Sequence, residues 1–526
     1  MYKSISLLIA ILLISFNLNA TTYYSDPING SMSNTGSTNE PWSSLEDIMN
    51  SGFVFQVNDI IKLRTGNHGF PKINGINSGF VQIMSDQDHN PIINRIYIGS
   101  VSTTSFWKLS ELNIQSIRTG QYPINLIDIY PNCNNIVIEN CIISTSEDTQ
   151  AWTRDDWRNN CNTGIRAQGY SVKVMNNTIK NIAVGISMEA DSSLISENTI
   201  QLFTIDGIRG LANNCIYESN TITDNMVVFT YSENHYDGFQ SYTCCPVGDD
   251  TLRNIIIRKN LIINTTDSTR NFRGPMQGIS NFDGFYVNWT IENNIIITDH
   301  WHGITLLGAI NCRIINNTVI DPYDISPIDT YDSLSTDQHG PAWIMIAAHK
   351  NGTPSYNNTV RNNLTAAINN DNNIGDVDHN IIIGASSNYD NFFTNYNTFD
   401  LHLISSATAI DNGSSVLAPS TDFDNNIRPN GNSFDVGAFE FQQTTSVQDI
   451  NYSELSIVPN PAQDFVNIKA ENIGSIYIFD ITGKLITTKS NQNTNLNNEV
   501  LIDISKLNKG LYFVKVVDTT AKFVKQ

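Results

Sequence analysis

The chain has 526 residues, with 51 Asp or Glu against 30 Lys or Arg and a formal net charge of −21. So acidic a surface argues against nonspecific nucleic-acid binding, which needs clustered cations to meet phosphates. The length allows two or three domains around a large core, and an acidic average still permits a local arginine groove for an anionic ligand.

Residues 1–20 read as a signal peptide. Lys3 supplies the positive start, residues 5–16 an apolar stretch too short to span a bilayer, and Leu18-Asn19-Ala20 a small residue for cleavage. No later apolar run is long enough for a transmembrane helix, so no membrane span is expected. Beyond it lie Tyr23-Tyr24-Ser25-Asp26-Pro27 and Pro41-Trp42-Ser43-Ser44-Leu45, the latter opening a short helix near 43–50 capped by Ser43 or Ser44.

The middle of the chain repeats a short pattern. An x-Gly-Ile-x unit occurs at Thr163–Arg166, Val184–Ser187, Asp206–Arg209, Asp237–Gln240 (with Phe for Ile), Gln277–Ser280 and His302–Thr305, with a degenerate copy at Ala342–Met345. Between these units an asparagine precedes an apolar run, at Asn140, Asn177, Asn198, Asn220, Asn260, Asn294, Asn317, Asn363 and Asn380. Short β-branched strands recurring every twenty-odd residues predict a β-solenoid, in which each coil pairs with the coils above and below at about 4.8 Å. Apolar positions alternate with period two and asparagine is a poor helix former, which excludes a helical repeat. The asparagines are expected to stack as an inward ladder that satisfies otherwise buried polar groups.

Stacking turns each position of the unit into a column. The glycine column either opens a groove where a chain can lie against the backbone or only starts each strand after a tight turn. The column after Ile (Arg166, Ser187, Arg209, Gln240, Ser280, Thr305) points outward and is polar throughout. The column before Gly contains Asp206 and Asp237 on neighbouring coils. Two carboxylates that close repel, which suits general acid/base chemistry or a Ca2+ site, and His302 follows two coils on. Strict alternation turns this column inward, unless the turn at the strand entrance redirects it. Loops before these strands add His235, Tyr236, Arg270, Arg273, His300 and Trp301, and the insert 151–160 carries Trp152, Arg154, Trp157 and Arg158. Arginines suit carboxylate or sulfate groups and indole faces suit sugar rings. The segment His339-Gly340-Pro341-Ala342-Trp343 would rim the groove.

Seven cysteines are present and none forms a C-x-x-C pair, so they read as small buried residues rather than zinc ligands. Residues 443–452 are a polar linker. Three blocks follow: Ser456–Pro461, Ile476–Lys484 and Leu507–Val516, alternating strands and Gly turns that predict a small β-sandwich.

Their order closely resembles the C-terminal sorting domain of the type IX secretion system. The resemblance implies an export address at 453–526, with the type IX machinery as partner and a secreted or cell-surface product. The opening residues 21–60, the repeats, and Asp435-Val436-Gly437-Ala438-Phe439-Glu440 together resemble secreted β-helix carbohydrate-active proteins, a group that includes pectate, alginate and chondroitin lyases and polygalacturonases. The expectation is therefore an all-β chain: a right-handed parallel β-helix over 21–442, then a small C-terminal β-sandwich. The resemblance implies a polysaccharide-degrading enzyme acting on an acidic glycan by β-elimination. Arg209 or Arg273 would neutralise the uronate, His302 or Arg209 would take the C5 proton, and Asp206 and Asp237 would position these groups or bind a cation. Arg166, His235, Gln240, Arg270, Arg273, His300 and Trp301 would bind substrate. Asp206-Gly207, Asp237-Gly238 and His302-Gly303 also resemble a polygalacturonase column, although no Asp-Asp pair follows in register and the coil of Gln277 intervenes. Alternatives are thus a hydrolase using the paired aspartates, or a glycan-binding adhesin without catalysis.

Overall fold

The computed structural model describes residues 20–526 except 231–232, 244–249, 322–340, 385, 443–454, 471–474, 482, 491–498 and 517–518. The predicted signal peptide and the pairs Cys244-Cys245 and His339-Gly340 fall outside the described residues, Ala20 apart. Two compact units are present, residues 1–442 and 443–526.

The first unit is a right-handed parallel β-helix. Its coils run through three faces, and every inter-coil pairing on them is parallel. The site face is formed by β1 (Thr163–Met175), β2 (Thr178–Asp191), β3 (Thr199–Gly210), β4 (Asp237–Tyr242), β5 (Gln277–Asp283), β6 (His302–Leu307) and β7 (Trp343–Ala347). Its inward column is Ile165, Ile186, Ile208, Phe239, Ile279, Ile304 and Ile344, in register and buried. Another face stacks Ile143, Ile179, Ile200, Ile222, Ile262, Ile296 and Val319 in the same way. Burying each such side chain stabilises the rod by roughly 1.5–3 kcal/mol.

The asparagine ladder is continuous from Asn177 to Asn380. The amide of each asparagine donates to the Oδ1 of the next, at 2.9–3.0 Å, through Asn198, Asn220, Asn260, Asn294, Asn317 and Asn363. Asn140 stands outside this ladder: Cys141 takes the ladder position, donating its backbone N–H to Asn177. Asn140 instead belongs to the neighbouring column of left-handed residues, with Asn176, Glu197, Ser219, Lys259, Asn293, Asn316 and Asn362, all with φ of 52–58°. Asparagine tolerates that conformation better than other non-glycine residues, which is why it recurs there.

The glycine column faces the interior. A Cβ on Gly207 would stand 2.5 Å from Ile222 Cγ2, on Gly185 2.7 Å from Ile200 Cγ2, and on Gly278 2.7 Å from Ile296 Cγ2. Isoleucines of another face lie directly against the backbone at this corner. The reading of these glycines as a solvent-facing groove is thereby corrected, since any side chain would displace the core.

The first coil is covered by helix α1 (Leu45–Asn50), which is closed by a capping box between Ser44 and Asp47 and buries Leu45 and Ile48. The segment Asp435–Glu440 runs along the flank of successive coils: Gly437 and Ala438 donate backbone N–H groups to Asn362 O and Thr318 Oγ1, Asn316 donates to Asp435 O, and a buried Arg428–Glu440 ion pair of 2.8 Å holds the segment. Cys133, Cys141, Cys161, Cys215 and Cys312 are buried free thiols. Burial pushes Cys133 and Cys215 up to about 11 and Cys141 and Cys312 to about 12, which leaves them inert.

The second unit is two antiparallel sheets, one of Ser456–Val458, Phe465–Lys469 and Glu499–Asp503, the other of Leu485–Ser490, Ser475–Asp480, Gly510–Val516 and Thr519–Lys525. Its core includes Val466, Ile468, Ile476, Ile478, Val514 and Phe523. Among the described residues no helix is long and apolar enough to cross a membrane.

Candidate active site

Because Gly207 and Ile208 both turn inward at the corner, the residue before glycine is thrown to the outer face. Three coils show the result as the same local bond between that residue and the one three positions on. Arg209 Nε donates to Asp206 Oδ2 at 2.6 Å, Gln240 Nε2 donates to Asp237 Oδ2 at 3.0 Å, and His302 Nδ1 lies 2.9 Å from Thr305 Oγ1. Register places Asp206 beside Asp237 and Asp237 beside Gln277 on successive coils.

These groups face outward but are covered. Asp206 is 1% exposed and Asp237 0%. Asp206 Oδ1, Asp237 Oδ1 and Gln277 Oε1 are buried acceptor oxygens without a well-formed hydrogen bond, one on each of three consecutive coils, although the Asp237 backbone and the Ser280 side chain lie close enough to Asp206 and Asp237, respectively, to oppose the burial-driven rise of their pKa. Burial, then the neighbouring Asp206 charge, pushes Asp237 well above the usual carboxylate range. Burial also raises Asp206, opposed by Arg209. Burial lowers Arg209, but Asp206 and its neighbours outweigh this and raise it overall, so its guanidinium stays charged.

His302 lies in an aromatic nest. Its ring stacks on His300 at 5.2 Å, meets Phe282 edge-on at 4.9 Å, and its Nδ1 is 3.2 Å from Trp343 Nε1. Burial, with the nearby His235, lowers His302 to about 4, so the ring is neutral at pH 7. His300 is buried, and its Nδ1 accepts the backbone N–H of His302. Trp301 stacks on Trp343 with centroids 5.6 Å apart and planes at 4°. Gln240 and Arg209 thus join the aspartates. His300 and Trp301 are joined to His302, and His235 stands near enough to act electrostatically on both Asp206 and His302.

The remaining predicted residues are set apart. Arg166 lies two coils from Arg209 and is held by Glu189 in a two-pronged pair, both contacts 2.9 Å. Arg270 and Arg273 sit on the loop before β5. Arg273 donates to Arg270 O, and Arg270 Nε is 3.6 Å from Asp224 Oδ1. Arg270 keeps buried Nε and Nη2 groups without hydrogen-bond partners, and burial lowers its pKa. Arg154 and Arg158 lie over the rings of Phe272 and Phe229. Sequence reasoning missed Glu189 and Asp128. Glu189 follows Ser187 by two residues and so shares its outward face, a signal that period-two counting contains. Asp128 precedes the first glycine-led unit and has no motif to mark it, although its strand pairs in register with Arg166.

No group of three or more His, Cys, Asp or Glu side chains suited to a metal occurs among the described residues. At this site a cation would meet the oxygens of Asp206, Asp237 and Gln277, in competition with the Arg209 guanidinium.

Residues 456–526 match a family model described as a secretion system C-terminal sorting domain. The chain is therefore exported through the outer membrane by the type IX system, to a secreted or cell-surface location. No curated protein matches the chain. Among solved structures it is similar to pectate lyase Pel9A, at 15% identity and TM-score 0.42 over 81% of this chain and 98% of that one. It is also similar to a rhamnogalacturonan lyase, at 14% and 0.39 over 70% and 89%. The Dettilon tailspike protein is similar at 14% and 0.41 over 61% of this chain, which spans 57% of the tailspike's length.

Proposed function

We propose that the chain is a secreted glycan-cleaving enzyme working by acid–base catalysis on the outer face of β3–β6, with hydrolysis as the reaction. The observation that carries this reading is the column of three buried oxygens on Asp206, Asp237 and Gln277 that lack a well-formed hydrogen bond. Leaving such groups unpaired costs about 1–3 kcal/mol each, a cost that a fold retains where a ligand or a transferable proton completes the set. Asp237, raised well above the usual carboxylate range, would hold the proton and deliver it to a glycosidic oxygen, and Asp206, whose rise Arg209 opposes, would serve as the base or nucleophile. The neutral His302 ring and the Gln277 amide bind sugar hydroxyls, and the Trp301 face offers a stacking surface.

β-Elimination on an acidic glycan is the second reading, favoured by Arg270, whose buried N–H groups would suit a uronate carboxylate. Arg209 is a poor base in that scheme, because its pairing with Asp206 stabilises the charged form. A Ca2+ ion on Asp206, Asp237 and Gln277 would belong to the same reading. The test is incubation of the exported chain with plant, algal and animal polysaccharides, with and without Ca2+ and a chelator. New reducing ends without an unsaturated product support hydrolysis. An unsaturated uronate, lost on chelation, supports elimination. Retention of a glycan without cleavage would overturn both and leave a binding protein.

A further inference from the structure

Strand β7 lacks the glycine of the other coils, and the register shifts there. His302 pairs with Trp343, and Ile304 with the very next residue, Ile344. One residue fewer on β7 moves Trp343 out of the glycine position and opposite His302. Its indole, held flat against Trp301, places Nε1 3.2 Å from His302 Nδ1 and 3.3 Å from Thr305 Oγ1.

An indole N–H can only donate. A hydrogen on His302 Nδ1 could be donated to Thr305 Oγ1 at 2.9 Å, but it would crowd the Trp343 N–H 3.2 Å away and leave that donor only the same oxygen at 3.3 Å, whereas a lone pair on Nδ1 accepts from Trp343 and from the Thr305 hydroxyl. The second arrangement, which uses both donors, puts the ring proton on Nε2, which has no hydrogen-bond partner among the described residues.

We propose that Trp343 is a positioning residue that fixes His302 as its Nε2–H tautomer, making the ring a donor to an acceptor oxygen of the bound sugar rather than a base. The proposal rests on the site reading above for its role in turnover, but the tautomer can be read without any substrate.

The experiment uses the full chain labelled with 15N-histidine, with the His302 signals assigned by their loss in His302→Gln. The native ring should show a protonated Nε2 and a bare Nδ1. Trp343→Phe keeps the stacked ring and removes the donor, so His302 should shift toward the Nδ1–H form, and kcat/KM on whichever glycan is cleaved should fall about fivefold, the worth of one hydrogen bond. Thr305→Val removes the second donor and should shift the tautomer the same way, which keeps the test decisive if Trp343→Phe misfolds. A native Nδ1–H signal, or unchanged tautomers in both variants, would overturn the assignment. A shifted tautomer with unchanged turnover would overturn the positioning role while leaving the geometry intact. Absence of cleavage on every glycan, with the tautomer as expected, would count against the enzyme reading alone.

Discussion

The asparagine ladder and the aspartate column follow the same stacking rule and reach opposite results. In the ladder, amides from Asn177 to Asn380 are paired head to tail, coil after coil, inside the rod. In the column, Asp206, Asp237 and Gln277 are as deeply covered, yet each keeps an oxygen without a well-formed hydrogen bond. Repetition of one residue type lets each rung satisfy the next. Breaking that repetition with two acids and an amide produces charge repulsion and a held proton. Polar burial is structural where the account closes and chemical where it does not.

The comparison is broken most severely at Asp237. Asp237→Asn keeps the shape and removes the proton, and turnover should fall on the order of 10²–10⁴-fold while the thermal midpoint stays within a few degrees. Assays of reducing ends beside calorimetry check both. Asn220→Ala should do the reverse. It strips the acceptor used by both the backbone and the side-chain N–H groups of Asn198. Each orphaned donor should cost about 1–3 kcal/mol in denaturant unfolding, with activity per folded molecule unchanged. Gly207→Ala drives a methyl against Ile222 and Gly238 O and should cost roughly 1–3 kcal/mol by the same measurement.

The smallest effect is on the pH profile of stability, and the two kinds of buried group give it opposite signs. Asp237 binds its proton more tightly folded than unfolded, so its contribution is complete below its unfolded value of 3.8 and drains away as pH rises above it. His302, lowered from 6.5 to about 4, contributes above 6.5 and loses that contribution as pH falls toward 4. Thermal midpoints across pH should show Asp237→Asn flattening the alkaline decline and His302→Gln flattening the acid one. Unchanged slopes in either variant would mean the group titrates alike in both states.

The β-helix itself was legible from the x-Gly-Ile-x units and the spaced asparagines, because a solenoid writes its period directly into the chain. The particulars that position the site were not. Whether Gly207 faces the core or solvent depends on how Ile222, fifteen residues away, meets the corner, and no local pattern encodes that. The outward turn of Asp206 and Asp237 follows from the same corner. Asn140 looked like a rung because it precedes an apolar run, yet the rung is one residue later, and a single-residue offset exchanges an interior ladder position for a left-handed turn position. Trp343 was visible as a rim residue, but its apposition to His302 depends on a one-residue deletion in register that only pairing reveals.

A stack of identical coils has no internal reason to stop, since each exposed end is a row of unpaired backbone groups ready to accept another coil. The helix laid across the first coil removes that invitation there, while the Asp435–Glu440 segment braces the flank of the coils of Asn316 and Asn362. A covered end keeps the rod from growing in that direction, which helps an exported chain remain a discrete particle rather than seed a fibre.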